Sequence, residues 1–250
     1  TVFDVQATWS GLDQHRITFG TTAERSATRN TGFGNIDEAQ SLIAFFLQDE
    51  ITLHDGLYLT LGLRNDDHDT FGNAATGRAA LAWVVQPNRL KLRTSYGTAF
   101  RSPSFLDLYG VNAFYVGNPN LKPEKAKGWD VGTDLTLADN LGSLSVTWFD
   151  TRFDNLINYD FGVFPSTVRN IGEARTYGME TTLRLNISGT THFEIAHTWL
   201  EAEDQTANLR LLRRPRHTIG ADLRHDFSRR FTLGTGATWV IDREDVDAAT

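Results

Sequence analysis

The sequence predicts an all-β protein, an antiparallel transmembrane β-barrel of about twelve strands. Most of the 250-residue chain alternates apolar and polar side chains, which is the period of a strand with one apolar face. Short and long connections between these runs also alternate, as they do in barrels of the bacterial outer membrane. The six tryptophans lie in the runs or at their ends, where interfacial aromatic girdles are expected.

In the first half of the chain, five connections separate the predicted strands. His54-Asp55-Gly56 joins two alternating runs, and Asp-Gly in that position is a strong hairpin signal. The segment around Pro87 and Asn88 predicts a second tight turn. The remaining connections of this half are a short turn at 10–14 and long loops at 27–40 and 66–75.

The second half repeats this arrangement after residue 129. Short turns are predicted at 138–142, 188–189 and 228–230, and long loops at 155–175 and 204–214. An acidic tail at 242–250 follows the last predicted strand. A soluble two-sheet protein would also show alternating faces, but it gives no reason for every second connection to be long.

The strand at 217–227 shows how different the two faces are. Ile219, Ala221 and Leu223 share one face, while Asp222 and Arg224 lie on the other. The first face is as apolar as lipid requires, and the second suits a wet lumen or a polar plug.

Composition excludes several classes of protein. The formal net charge of −7 argues against a nucleic-acid partner. The absence of cysteine excludes disulfides, and no run of about 18 apolar residues predicts a transmembrane helix. The chain opens inside a predicted strand and its single methionine is Met179, so we expect it to be an excerpt of a longer protein.

The segment from Gly97 to Trp129 is the longest one without strand periodicity. It contains Pro103, Pro119 and Pro123, each of which lacks the amide that a central strand donates. We therefore predict a long ordered loop, and long loops in compact proteins are usually functional.

Two parts of this segment resemble the signature of TonB-dependent outer-membrane receptors. They are GTAFRSPS at 97–104 and GNPNLKPEKAKGWDVG at 117–132. The stretches 154–185 and 209–223 further resemble the cobalamin-receptor branch. The resemblance implies a 22-stranded barrel with an N-terminal plug, of which residues 1–250 would form one partial barrel domain without the plug.

The resemblance also implies a function in the outer membrane of a Gram-negative bacterium. Such a receptor, surrounded by outer-membrane lipid, binds a scarce ligand at the cell surface and imports it with energy from the TonB complex, which acts through the absent plug. Cobalamin is the first ligand implied, and a ferric siderophore is the alternative. Any Ca²⁺ associated with cobalamin binding would lie in loops outside this chain.

A passive porin-like barrel and a barrel enzyme are two alternatives to a receptor. The sequence contains no G-x-S-x-G elbow, no cysteine nucleophile and no H-E-x-x-H motif. We therefore expect no catalytic residues and no enzymatic activity.

Arg213 is the first candidate for ligand binding. The resemblance to cobalamin receptors implies a position that contacts the corrin ligand, whose amide and phosphate groups suit a guanidinium. The alternative is an arginine that faces the lumen or lies at the barrel rim, tied to a nearby carboxylate such as Glu201 or Glu203.

The long loop supplies the other candidates. Tyr109, Phe114 and Tyr115 either form an aromatic platform for a ligand or pack beneath the loop itself. The motif residues Asn118, Pro119, Leu121, Pro123 and Glu124 have an expected structural role, because prolines preset the backbone and Glu124 can accept hydrogen bonds from loop amides.

Asp66, Asp67 and Asp69 form the weaker candidate, a site for a hard cation such as Ca²⁺, which favours several carboxylate oxygens. The alternative is a solvated acidic tip of a loop.

Overall fold

The computed structural model describes residues 1–245. Residues 246–250 of the predicted acidic tail lie outside this part of the chain. The first strands are β1 (Val2–Trp9), β2 (His15–Asn30), β3 (Ile36–His54), β4 (Leu57–His68), β5 (Gly72–Gln86) and β6 (Leu90–Arg101). The long loop after β6 contains helix α1 (Phe105–Tyr109) and the two-residue strand β7 (Tyr115–Val116).

The second half continues the same sheet. Its elements are β8 (Glu124–Thr136), a 3₁₀ helix (Ala138–Asn140), β9 (Gly142–Asp160), β10 (Ser166–Ser188), β11 (Thr191–Asp204), β12 (Leu209–Arg210), β13 (His217–Ser228) and β14 (Phe231–Ile241). No helix among the described residues is long and apolar enough to cross a lipid bilayer.

These strands form one sheet in the order β1-β2-β3-β4-β5-β6-β8-β9-β10-β11-β13-β14. Each strand on this path is antiparallel to the next. The short strands lie off the path: β7 pairs in parallel with β10, and β12 pairs with β11. Within residues 1–245 no ladder joins β1 to β14, so the barrel is not closed in this chain. The predicted series of antiparallel strands is confirmed.

One face of the sheet is apolar and exposed. Phe19 pairs with Leu47, and Leu47 pairs with Leu63, so that the three side chains form a row across adjacent strands. Leu63 is 69% exposed and Phe45, on the same face, is 63% exposed. A water-soluble sheet would cover such residues, because exposed apolar area of this extent is unfavourable in water.

The opposite face is polar and carries linked charges. Arg93 lies 3.8 Å from Asp130 and 3.4 Å from Asp134. Ser145 donates a 2.7 Å hydrogen bond to Asp134, and Lys91 lies 4.0 Å from the same carboxylate. The two predicted faces of the strands are therefore present along the sheet.

The strands are longer than predicted at the end of the sheet that carries the longer connections. The predicted long loops at 27–40, 66–75 and 155–175 are wrong: only 31–35, 69–71 and 161–165 connect the strands there. The apolar alternation ends in these segments, but the backbone ladder continues, because its hydrogen bonds do not depend on side-chain polarity. In the described residues, the long connections at this end are 102–123, with α1 and β7, and 205–216, with β12.

Candidate functional site

Helix α1, near the beginning of the long loop at 102–123, has a capped N-terminus. Ser104 caps α1: its hydroxyl accepts a hydrogen bond from the Asp107 amide at 3.1 Å, while Asp107 accepts one from the Ser104 amide at 3.0 Å. This reciprocal capping box satisfies backbone donors that a short helix cannot satisfy itself. Pro103, immediately before the cap, is fully buried.

The loop has an apolar core of its own. Leu108, Tyr115 and Leu121 of the loop pack with Val168 of β10, and all four are buried. Tyr109 is one of the partly buried residues around this core. The structure therefore places Tyr109 and Tyr115 against the interior of the loop and the adjoining strands.

Tyr115 is also held by its hydroxyl group, which donates a 3.2 Å hydrogen bond to the carbonyl of Leu106. Burial raises the pKa of Tyr115 to about 12, with smaller contributions from Asp107 and Tyr159. A phenol in this position is therefore retained in its neutral form.

The loop is anchored to two parts of the sheet that lie far apart in the strand order. On one side the amide of Val111 donates to the carbonyl of Phe33, in the β2–β3 turn, at 2.8 Å. On the other side the amide of Ser166 donates to the carbonyl of Phe114 at 2.9 Å. The loop thus crosses one end of the sheet and connects strands that are far apart in the sheet order.

The motif residues lie where the loop returns to β8. Glu124 is 7% exposed; it accepts hydrogen bonds from the guanidinium of Arg101 and, at 2.7 Å, from the amide of Ile157. The side chain of Asn118 donates to the carbonyl of Val168 at 3.1 Å. The rest of the motif comprises Pro119, Leu121, which is 5% exposed, and Pro123.

Aromatic rings connect this loop to the β9–β10 turn. Tyr115 and Tyr159 have centroids 6.0 Å apart, and Tyr159 stacks on Phe161 at 5.9 Å with an interplanar angle of 13°. Phe114 meets Phe164 edge to face at 6.3 Å. We call these five rings together with Arg213 the aromatic–arginine surface.

Arg213 completes this surface. Its guanidinium carbon lies 5.7 Å from the centroid of Phe161, within cation–π range. The backbone of Arg213 has a φ of 60°, and its amide donates to the carbonyl of Glu244 at 2.8 Å. The structure thus brings Arg213 and Tyr115 into one series of rings, through Tyr159 and Phe161.

The carboxylates proposed from the sequence as partners of Arg213 have other contacts. Glu201 lies 2.6 Å from Arg216 and 3.6 Å from Arg210. Glu203 accepts a hydrogen bond from Gln205 at 2.7 Å. Arg213 instead donates to Asp245 at 2.8 Å, because the chain after β14 returns beside the 205–216 loop.

Sequence reasoning did not single out Tyr159, Phe161 or Phe164. All three lie in the predicted long loop at 155–175, although Tyr159 and Phe161 alternate at strand spacing. Phe161 is 56% exposed and Phe164 is 80% exposed, as is Phe114 at 70%. These three phenylalanine rings therefore point outward, which is a common property of ligand-contacting surfaces, whereas Tyr115 is buried beneath them.

The predicted cation site is not assembled. Asp66 lies 2.8 Å from Arg64, and Asp67, the next residue of β4, faces the other side of the sheet. Asp69 accepts a hydrogen bond from the amide of Ser41 at 2.8 Å. In the part of the chain that the structure describes, no group of three or more acidic, histidine or cysteine side chains is arranged to hold a metal ion.

Comparison with known proteins places the chain in a family. A family model described as TonB dependent receptor-like, beta-barrel, matches residues 1–250. The vitamin B12 transporter BtuB of Photobacterium profundum is 29% identical over 195 residues, which are 76% of this chain and 31% of that protein. The iron-regulated outer membrane virulence protein of Vibrio cholerae is 26% identical over 243 residues, 85% of this chain and 36% of that protein.

Solved structures share the fold. The siderophore receptor PirA from Pseudomonas aeruginosa has a TM-score of 0.77 at 18% identity, covering 94% of this chain and 44% of PirA. The ferric enterobactin receptor PfeA gives 0.78 at 18% identity, covering 96% and 41%. The chain spans about a third of the length of the curated relatives it matches. The chain belongs to the TonB-dependent receptor-like β-barrel family.

Proposed function

We propose that this chain is part of the barrel of a TonB-dependent receptor that imports cobalamin across the outer membrane of a Gram-negative bacterium. The observation that carries the proposal is the aromatic–arginine surface, held on an ordered loop at one end of the sheet. BtuB, a relative at 29% identity, is a vitamin B12 transporter, which supports cobalamin as the first substrate.

The proposed orientation follows from the two faces of the sheet. The exposed apolar face lies against lipid, and the polar face with Arg93, Asp130 and Asp134 lines the lumen. Long connections in outer-membrane barrels are extracellular, so the loops at 102–123 and 205–216 lie outside the cell. The aromatic–arginine surface then faces the medium from which a nutrient arrives.

The loop architecture suits capture of a large ligand. Its apolar core and its anchors at Phe33 and Ser166 fix the backbone before a ligand arrives. A preorganised surface loses less conformational entropy on binding. The rings offer apolar contact area, and the guanidinium offers a fork of donors to amide or phosphate oxygens.

Transport itself requires parts outside this chain. We propose that a plug domain fills the lumen and moves on energy from the TonB complex, so that the bound ligand passes toward the periplasm. The charged network of the polar face is suited to contact such a polar plug, because the paired side chains of Arg93, Asp130 and Asp134 remain partly exposed.

A ferric siderophore is the second candidate substrate. One relative is an iron-regulated outer membrane protein, and exposed rings beside a guanidinium would also accommodate an anionic aromatic iron chelate. The surface has chemistry for either ligand, so the choice depends on measurement.

The test is a titration of the full-length protein, purified in detergent, with cyanocobalamin and separately with ferric enterobactin. Intrinsic tryptophan fluorescence reports binding. Saturable binding of cyanocobalamin at submicromolar concentration supports the first proposal, and binding of the iron chelate alone replaces it with the second.

A planar bilayer measurement separates a receptor from a passive pore. A plugged receptor is expected to give no steady conductance, because the plug fills the lumen. Steady ion conductance by the full-length protein without TonB would contradict the receptor proposal and favour a porin-like barrel.

A further inference from the structure

A row of basic residues crosses three neighbouring strands on the apolar side of the sheet. Lys127 of β8 is directly opposite Arg152 of β9, and Arg152 is directly opposite Arg175 of β10. Side chains paired in this way have Cβ atoms about 5 Å apart. Like charges directly opposite each other destabilise a sheet unless an anion lies between them. We call these three residues the basic row.

Among residues 1–245, Arg175 is the one member of the basic row that has a carboxylate within 4 Å. Arg175 donates to Asp150 at 3.1 Å, and Asp150 is 7% exposed. Lys127 and Arg152 are exposed, and within residues 1–245 neither forms an ion pair closer than 4 Å. The sheet therefore presents two exposed cationic groups side by side, and Asp150 acts on Arg152 only at a longer distance than on Arg175.

The carboxylates on the neighbouring strand β11 do not pair with Lys127 or Arg152. Glu201 is held by Arg210 and Arg216, and Glu203 accepts hydrogen bonds from Gln205 and, at 3.5 Å, from Tyr177. Glu203 also lies directly opposite Arg175 in the ladder, so both of these carboxylates of β11 are engaged by residues other than Lys127 and Arg152.

An aromatic band lies next to the row on the same face. Trp129 follows Lys127 by two residues on β8, a rise of about 7 Å along a strand. Trp148 and Trp199 have centroids 5.6 Å apart, and Tyr177 meets Trp199 edge to face at 6.1 Å. Tryptophan and tyrosine on an outward barrel face mark the level of the lipid headgroups. The basic row, one step toward the long loops, lies at or just above that level.

A cleft of about 250 Å³ is lined by all three residues of the basic row. Asp154 and Glu173, one step farther from the aromatic band, also line it. Two carboxylates on the solvent side would repel a soluble polyanion approaching from the medium. An anion that enters from the lipid side meets the cations first.

We propose that the basic row binds the phosphate of an anionic lipid in the outer leaflet of the membrane. The guanidinium of Arg152 and the ammonium of Lys127 supply donors to one phosphate group, and the aromatic band contacts the acyl region beneath it. This inference rests on the proposed membrane orientation and not on the identity of the transported ligand.

The test measures lipid retained by the full-length protein during purification in detergent. Lipopolysaccharide, the phosphorylated lipid of that leaflet, is added and retention is quantified by native mass spectrometry. The double variant Lys127→Gln/Arg152→Gln is expected to lower retention by about tenfold or more, because two charge-assisted contacts are lost. A charge-preserving variant, Lys127→Arg/Arg152→Lys, is expected to retain the lipid.

Matched controls identify the site and the source of the phosphate. Lys91→Gln/Arg78→Gln removes the same charges from the polar face of the sheet and should leave retention unchanged. Inorganic phosphate at millimolar concentration should not compete, and dephosphorylated lipid should be retained poorly by the unsubstituted protein.

Equal retention by the two Gln variants would overturn the proposal, as would competition by free phosphate. Unchanged thermal unfolding of each variant shows that the fold is intact. Loss of lipid retention with ligand binding intact supports the basic row alone, whereas failure of ligand binding with lipid retention intact affects only the proposed substrate.

Discussion

Arg213 lies over the ring of Phe161, with its guanidinium carbon 5.7 Å from the ring centroid. Phe161 in turn stacks on Tyr159, which adjoins Tyr115 in the long loop. A salt bridge to Asp245 also holds the guanidinium, yet 51% of the Arg213 side chain remains exposed. The guanidinium is therefore both positioned and available to a ligand.

We predict that Arg213→Ala weakens ligand binding by about 1–2 kcal/mol, since an exposed cation–π pair and one charged contact are lost. Phe161→Ala should have a similar effect, and the double variant should cost less than the sum of the two because the residues act together. Fluorescence titration of the full-length protein measures all three variants.

The control for this double-mutant cycle of Arg213 and Phe161 is Arg169→Ala. Arg169 is an exposed arginine of the neighbouring strand β10 that pairs with Asp160 at 3.5 Å and lies outside the aromatic–arginine surface. Its removal should leave the dissociation constant unchanged. Strictly additive effects of Arg213→Ala and Phe161→Ala would contradict coupling between the two residues.

The second prediction concerns Glu124, which lies where the long loop returns to β8 and which binds the loop end to β9. Glu124→Ala leaves the amide of Ile157 and the guanidinium of Arg101 without their acceptor, at a cost of about 2–4 kcal/mol. We expect faster proteolytic cleavage within 102–123. Limited proteolysis of the full-length protein, followed by mass spectrometry, measures this rate.

Lys125→Ala is the matched control, because Lys125 is the next residue of β8 and is exposed. Glu124→Gln should be intermediate, since the amide oxygen still accepts from Ile157 but no longer carries charge. Cleavage of Glu124→Ala at the wild-type rate would exclude a structural role for this carboxylate.

The third prediction is a pH dependence of the long loop. Burial raises the pKa of Tyr115 from 10.0 to about 12, so the folded loop binds a proton that the unfolded loop releases near pH 10. The stabilisation is fully present below pH 10 and is lost as the pH rises toward 12. Proteolytic accessibility of 102–123 should increase over that window.

Tyrosinate absorbance at 295 nm provides the parallel measurement. Tyr115→Phe should remove a late-titrating phenol and flatten the pH dependence of cleavage. Tyr96→Phe, at an exposed position on the apolar face, should leave the pH dependence of cleavage unchanged. A pH dependence that persists in Tyr115→Phe would assign the effect to another group.

The strands and their two faces could be predicted from the sequence, because side-chain alternation shows which face meets an apolar environment. The ends of the strands could not be predicted in this way, because the strands continue beyond the point where the alternation stops. In β9 the pattern breaks at Asn155, which has a φ of 58°, yet pairing with β10 continues to Asp160. The ladder there depends on backbone hydrogen bonds that no side-chain pattern records.

The family assignment followed from the motif in the long loop and is confirmed by the family model. The composition of the aromatic–arginine surface was harder to predict, because it joins residues from the long loop, the β9–β10 turn and the 205–216 loop. Arg213 could be singled out by resemblance, whereas its contact with Asp245 depends on the path of the chain after β14.

The continuation of the ladders beyond the apolar alternation has a consequence for how specificity can change. The ring of Tyr159 and the residue that anchors the long loop, Ser166, both lie on paired strands and not in free turns. Single substitutions on these paired segments alter the chemistry of the aromatic–arginine surface while the backbone stays in place. Insertions would interrupt hydrogen-bond pairs and shift the register. Divergence among relatives is therefore expected to proceed by exchange of side chains along β9 and β10, and by changes of length in 102–123 and 205–216.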